Sequence, residues 1–119
     1  MTQILVVDDE PGIREISARI LANAGFAVDV AEDGEFAWQA LSNRHYDLIL
    51  TDQNMPRLDG AGLIARLHSA GLTVPVILMT GGCIVRPAVK VAPVRYLEKP
   101  FTFSMLIGEV NRILNPVTV

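Results

Sequence analysis

The chain has 119 residues and a mass of 13.0 kDa, which suits one domain, 1–119, since domains most often run ~100–150 residues. Half of it is hydrophobic, mean hydropathy is +0.36 and net charge is −3, so it lacks the low hydrophobicity and high charge of a disordered chain and the basic surface of a direct nucleic-acid binder. One cysteine, Cys83, excludes an internal disulfide and Cys-x-x-Cys metal sites, and no apolar run approaches the ~20 residues that span a bilayer.

In chain order, residues 4–7 form a short apolar run suited to a buried parallel strand. Pro11 then fits the first position of a helix whose apolar face is marked by Ile13, Ile16, Ile20 and Leu21 and which should stop near Gly25. A second strand is expected over 27–30. Asp33 fits the N-cap of a second helix marked by Ala37, Ala40 and Leu41. A third strand at 48–50 precedes a helix capped by Asp59, marked by Leu63, Ile64 and Leu67, and closed near Gly71. Strands follow at 76–79 and 94–97. Between them, residues 83–93 hold Pro87 and Pro93, so the helix due there is expected to be short or irregular. The last helix, capped by Thr102, repeats Phe103, Leu106, Ile107, Val110, Ile113 and Leu114 at helical spacing. Alternating strands and helices imply an α/β fold, a doubly wound parallel sheet with helices on both faces.

Ligands of such sheets bind beyond the carboxyl ends of the strands, where strand order reverses. There the sequence places Asp8, Asp9 and Glu10 after the first strand and Asp52 and Asn54 after the third. Thr80, Gly81 and Gly82 follow the fourth, and Lys99 and Pro100 the fifth. Three carboxylates brought together repel one another, and Mg²⁺, a hard ion that takes oxygen ligands, would relieve that repulsion. The plainer reading is that each aspartate caps the following helix. Lys99, one of two lysines against eight arginines, would serve as a point charge for a carboxylate or a phosphoryl oxygen, or simply bridge to one of the aspartates. A carboxylate can attack phosphorus and form an aspartyl phosphate. In that chemistry Asp52 would attack, Mg²⁺ and Lys99 would neutralise charge, Thr80 would donate a hydrogen bond, and Gly81 would leave room.

The motifs LVVDDE (5–10), LTDQNMPRLDG (50–60), MTGG (79–82) and YLEKPF (96–101), in this order and at these strand ends, resemble the receiver domain of bacterial two-component response regulators over essentially the whole chain. The resemblance implies a flavodoxin-like (βα)5 sandwich of strand order 2-1-3-4-5. It implies Asp52 as phosphoacceptor, Asp9 as a direct Mg²⁺ ligand with Asp8 assisting through water, and Asn54 lending its backbone carbonyl while its side chain tunes dephosphorylation. Thr80 and Lys99 match the family hydroxyl and lysine. Tyr96 matches an aromatic switch that turns inward with Thr80, and Lys99–Pro100 is expected to be cis. The implied partners are a histidine kinase or histidine phosphotransfer protein and an output partner. Output, and a homodimer if one forms, would use the helix at 83–93, the fifth strand and the last helix. The stretch from Thr80 to Lys99 is shorter than is usual in the family, which makes that face atypical. The implied protein phosphorylates and dephosphorylates its own aspartate and is otherwise no enzyme. It is expected in the cytoplasm, since no signal-peptide pattern follows Met1. Neither a membrane nor nucleic acid is an expected direct partner. Whether it stands alone or is part of a longer protein is open.

Two rival readings remain. A phosphorylation-independent pseudo-receiver would usually lack one of the acidic, hydroxyl or lysine positions, all of which are present. An aspartate-nucleophile phosphatase would need an Asp-x-Asp motif and a cap over its substrate. Other features are expected to be structural. Gly60 to Ala65 matches a dinucleotide fingerprint in the wrong context, past the third strand. Cys83 suits a packed small hydrophobe, His45 and His68 suit the surface, and Phe36 and Trp38 suit partial core packing.

Overall fold

The computed structural model describes residues 1–81 and 94–115. In chain order the elements are β1 (Gln3–Val7), α1 (Pro11–Asn23), β2 (Ala27–Ala31), α2 (Gly34–Asn43), β3 (Leu48–Asp52), α3 (Gly60–Ser69), β4 (Val76–Thr80), β5 (Val94–Glu98) and α4 (Phe103–Leu114). The five strands form one parallel sheet in the order β2-β1-β3-β4-β5, as expected. The expected helix at 83–93, with Cys83, lies outside the described residues. Among those residues, no helix is long and apolar enough to cross a membrane.

The central strands carry no polar alternation because both of their faces are covered. Ile4 and Val6 of β1 join Leu50, Ile77 and Met79 in a core beneath α1 and α4, which add Leu21, Leu106 and Val110. Leu5 and Val7 join Ile49 and Leu78 in a second core beneath α2 and α3, which add Ala37, Leu63 and Leu67. Period-two alternation along each strand thus feeds two cores at once.

Helix boundaries follow local chemistry. Pro11 opens α1, whose N-cap, Glu10, makes no side-chain cap bond. Asp33, Asp59 and Thr102 cap α2, α3 and α4 by accepting from the backbone N–H groups of Phe36, Gly62 and Met105. Gly25 and Gly71 follow α1 and α3 with φ of 99° and 73°, a conformation glycine enters without steric cost.

Four expectations about buried faces need correction. Ile13 and Ile16 of α1 and Phe103 of α4 are exposed, at 36%, 53% and 65%. Helical spacing identified one apolar side of each helix, but these three residues line a groove between α1 and the start of α4 and do not enter the core. Phe36 is also exposed, with its ring against Arg57.

Candidate functional site

Strand register brings the expected site together. β1 and β3 run side by side with Val7 opposite Thr51, so Asp8 and Asp52 leave the sheet at the same level. Asp52 stands opposite Met79, and Thr80 opposite Glu98, which sets Thr80 and Lys99 on the same edge. Strand order reverses between β1 and β3, the place where open α/β sheets bind ligands.

Side-chain oxygens of Asp8, Asp9 and Asp52 all lie within 4.8 Å of one another. Asp8 and Asp52 are buried, and Asp9 opens to solvent. None of the three caps a helix through its side chain. Asp8 instead accepts from the Glu10 N–H at 3.0 Å, which turns the chain away from β1, and Arg14 donates to the Asp8 carbonyl at 2.9 Å. Lys99 Nζ donates to Asp52 Oδ1 at 3.1 Å, and the Lys99 N–H donates to the Thr80 carbonyl at 2.7 Å. The Lys99–Pro100 peptide is cis, as expected.

Among the described residues, two buried polar atoms here have no hydrogen-bond partner, Asp8 Oδ2 and Thr80 Oγ1. Burial pushes the Asp8 carboxyl above its ordinary pKa. The charges of Asp52 and Asp9 act the same way, and the Glu10 N–H and Lys99 oppose them without prevailing. The arrangement can therefore accept a hard cation between its carboxylates and one further hydrogen-bond acceptor at Thr80. Among the described residues, a Cβ at Gly81 would meet nothing within 4 Å.

The sequence model of the response regulator receiver domain matches residues 4–111. This chain belongs to the response regulator receiver domain family. The receiver is 34% identical over 115 residues to the response regulator MprA of Mycobacterium sp. (strain KMS), covering 94% of this chain and 50% of MprA. It therefore spans about half the length of that curated relative. Among solved structures, the receiver domain of the Francisella response regulator 1452 superposes with a TM-score of 0.86 at 30% identity, covering 96% of this chain and 97% of that one. Thermotoga maritima TrrA, crystallised in complex with Mg(2+)-BeF, superposes with a TM-score of 0.82 at 33% identity, covering 96% of this chain and all of TrrA.

Asn54 of this receiver lies two residues beyond Asp52 with its side chain exposed, and Tyr96 is half-buried on β5, packed against the core beneath α2 and α3. Gly82 lies outside the described residues. The dinucleotide-like run opens α3, well past the β1 turn where such a fingerprint would act. His45 and His68 are exposed and Trp38 is partly buried against Arg66, as expected.

Three residues around the site were not singled out from sequence. Gln53 is buried, accepts from the Ala61 N–H at 2.9 Å and donates to Asp59 at 3.3 Å, tying the end of β3 to α3. Arg14 holds the Asp8 carbonyl. Arg57, in the loop after β3, pairs with the buried carboxylate of Asp33. The polar Gln53 directly after a buried strand was a signal in the sequence. The two arginines offered none, because their partners are set by the fold.

Proposed function

We propose that this receiver is a phospho-accepting switch acting in the cytosol, taking a phosphoryl group onto Asp52 from a histidine kinase or histidine phosphotransfer protein. The observation that carries this reading is a buried Asp52 carboxylate held between Lys99, at 3.1 Å, and two further carboxylates. Asp8, Asp9, Asp52 and the Asn54 backbone carbonyl would hold Mg²⁺. The donor set is all oxygen, and the unpartnered Asp8 Oδ2 suits such an ion. Bound there, Mg²⁺ would neutralise charge on the phosphoryl oxygens.

An Asp52 oxygen forms the new bond to phosphorus. The phosphorus–nitrogen bond of the phosphohistidine breaks, its electron pair staying on the ring nitrogen, which takes up a proton. Lys99 moves from the carboxylate to a phosphoryl oxygen. Thr80, whose hydroxyl has no partner among the described residues, gains an acceptor. Its shift would draw Tyr96 inward and change the population of the surface presented by β5 and α4, where an output partner or a second copy would bind. Hydrolysis of the acyl phosphate, tuned by Asn54, resets the switch. Phosphorylation and dephosphorylation of Asp52 are the only chemistry assigned to the chain.

The donor protein has a landing place beside the site. Ile13, Ile16, Ile20, Pro100, Phe101 and Phe103 line an apolar groove of about 390 Å³ that Lys99 also borders. A phosphohistidine carried on a helix would bury apolar side chains there while its ring reaches the acidic edge.

Intact-mass spectrometry after incubation with a small phosphodonor tests the reading. One phosphoryl adduct should form with Mg²⁺, fail to form without it, and be absent in Asp52→Ala. If neither a small donor nor a histidine phosphodonor protein labels the wild type while a control receiver is labelled, the pseudo-receiver reading replaces this one.

A further inference from the structure

Arg57 is the only non-glycine residue among those described with positive φ, at 67°, a region that bulky side chains seldom occupy. Backbone and side chain together account for where it is held: across it the Leu58 N–H donates to the Pro56 carbonyl at 2.8 Å. Nε donates to Asp33 Oδ2 at 2.8 Å, and Nη2 donates to the same oxygen. The guanidinium lies 5.4 Å from the centre of the Phe36 ring. Asp33 is buried, and its other oxygen already caps α2 by accepting from the Phe36 N–H at 3.0 Å. A buried carboxylate thus spends one oxygen on a helix start and the other on a loop 24 residues away.

The backbone on either side closes the same joint. A Cβ at Gly34 would overlap the Leu58 carbonyl oxygen, so the loop lies directly on the first turn of α2. Downstream, the Gly60 N–H donates to the Gln53 carbonyl at 3.1 Å. The span from Asn54 to Pro56 is therefore fastened at Asp52 by the sheet and at Arg57 and Leu58 by α2. Asn54, whose carbonyl belongs to the proposed cation site, sits inside that span.

We propose that Arg57 is a positioning residue for cation binding: with Asp33 it fastens the loop after β3 to α2, so that the Asn54 carbonyl is held in place before the ion arrives. The pair makes no contact with the ion. It lowers the ordering cost that the loop would otherwise meet on binding, as groups behind metal ligands generally do. The inference rests on the reading that the Asp8–Asp9–Asp52 cluster takes Mg²⁺.

Mg²⁺ titration calorimetry on the full chain tests it, with thermal melts of each metal-free variant alongside. Arg57→Gly removes the clasp and leaves φ of 67° accessible, and Asp33→Asn keeps an oxygen for the α2 cap while weakening the arginine pairing. Each should weaken Mg²⁺ binding by roughly tenfold. The double variant should be no weaker than either alone, because both break one interaction. Arg57→Lys should recover part of the loss. Wild-type affinity in Arg57→Gly overturns the inference, whatever its melting temperature, since a merely structural clasp would move the melt alone. Wild-type protein whose Mg²⁺ uptake is absent, or unaffected by Asp52→Ala, overturns the cluster reading and this inference with it.

Discussion

Thr80 keeps a hydroxyl in the interior with no partner among the described residues, an arrangement that costs a folded protein stability. The proposed phosphoryl group on Asp52 would give that hydroxyl an acceptor. Thr80→Val keeps the shape and removes the orphan. Its unphosphorylated form should melt at or above the wild-type temperature, by up to about 1 kcal/mol of stability. Under the proposed switch, the change in Tyr96 fluorescence expected on phosphorylation should be lost. A destabilised variant would mean that Thr80 has a resting partner. Asp8, Asp9, Asp52, Thr80 and Lys99 were all legible in the sequence, because each ends an apolar strand or lies within two residues of its end, and parallel strands end together. Arg57 and Asp33 were not. Asp33 could be identified as a cap, yet nothing in the chain specifies which cation reaches its second oxygen.

At the scale of elements, caps and stops were legible because they depend on a residue and its next few neighbours. Asp33, Asp59, Thr102, Gly25 and Gly71 act where the sequence placed them. Burial was less legible. Spacing shows that Ile13, Ile16, Ile20 and Leu21 share a side of α1, but only packing decides that Leu21 is buried and Ile16 is not. The uncovered part is the apolar groove beside Lys99. Ile16→Asp should leave stability within about 0.5 kcal/mol of wild type, as exposed substitutions generally do. It should leave labelling by a small phosphodonor unchanged and slow transfer from a histidine phosphodonor protein by about tenfold or more. Equal slowing with both donors would place the defect in the site rather than in docking.

Across the whole molecule, titratable groups fasten the sheet to its surroundings and bound its stability on the pH axis. Tyr46 is buried at the entry to β3 and donates to Asp29 of β2 at 2.6 Å. Burial first, then the hydrogen bond to Asp29, pushes its phenol up to about 12. Because the folded value lies above the ordinary 10.0, the stabilisation is complete below that pH and is lost as pH rises toward about 12. Tyr46→Phe should cost about 1 kcal/mol at neutral pH and flatten the alkaline limb of a melting-temperature profile. At the acid end the carboxyl of Asp33 is held low. Its burial alone would raise it, but the Phe36 N–H and Arg57 outweigh that. Glu109 is held low by Arg95, despite its own partial burial. Their contributions are present above the ordinary values of 3.8 and 4.5 and fade as pH falls through the lower folded ones. Asp8, raised, works in the opposite direction.

Alternation of apolar strand and capped helix was sufficient for the α/β class, and the residues that follow each strand were sufficient to assemble most of the site on one edge. Both are local in the chain, and a parallel sheet converts local position into shared position by aligning strand ends. What only the tertiary structure decided is pairing: Lys99 with Asp52, Arg57 with Asp33, Tyr46 with Asp29, and the groove left open between α1 and α4. These join residues 17 to 47 positions apart or leave two helices unfilled between them. Their geometry follows from how helices settle on the sheet, which no local pattern encodes.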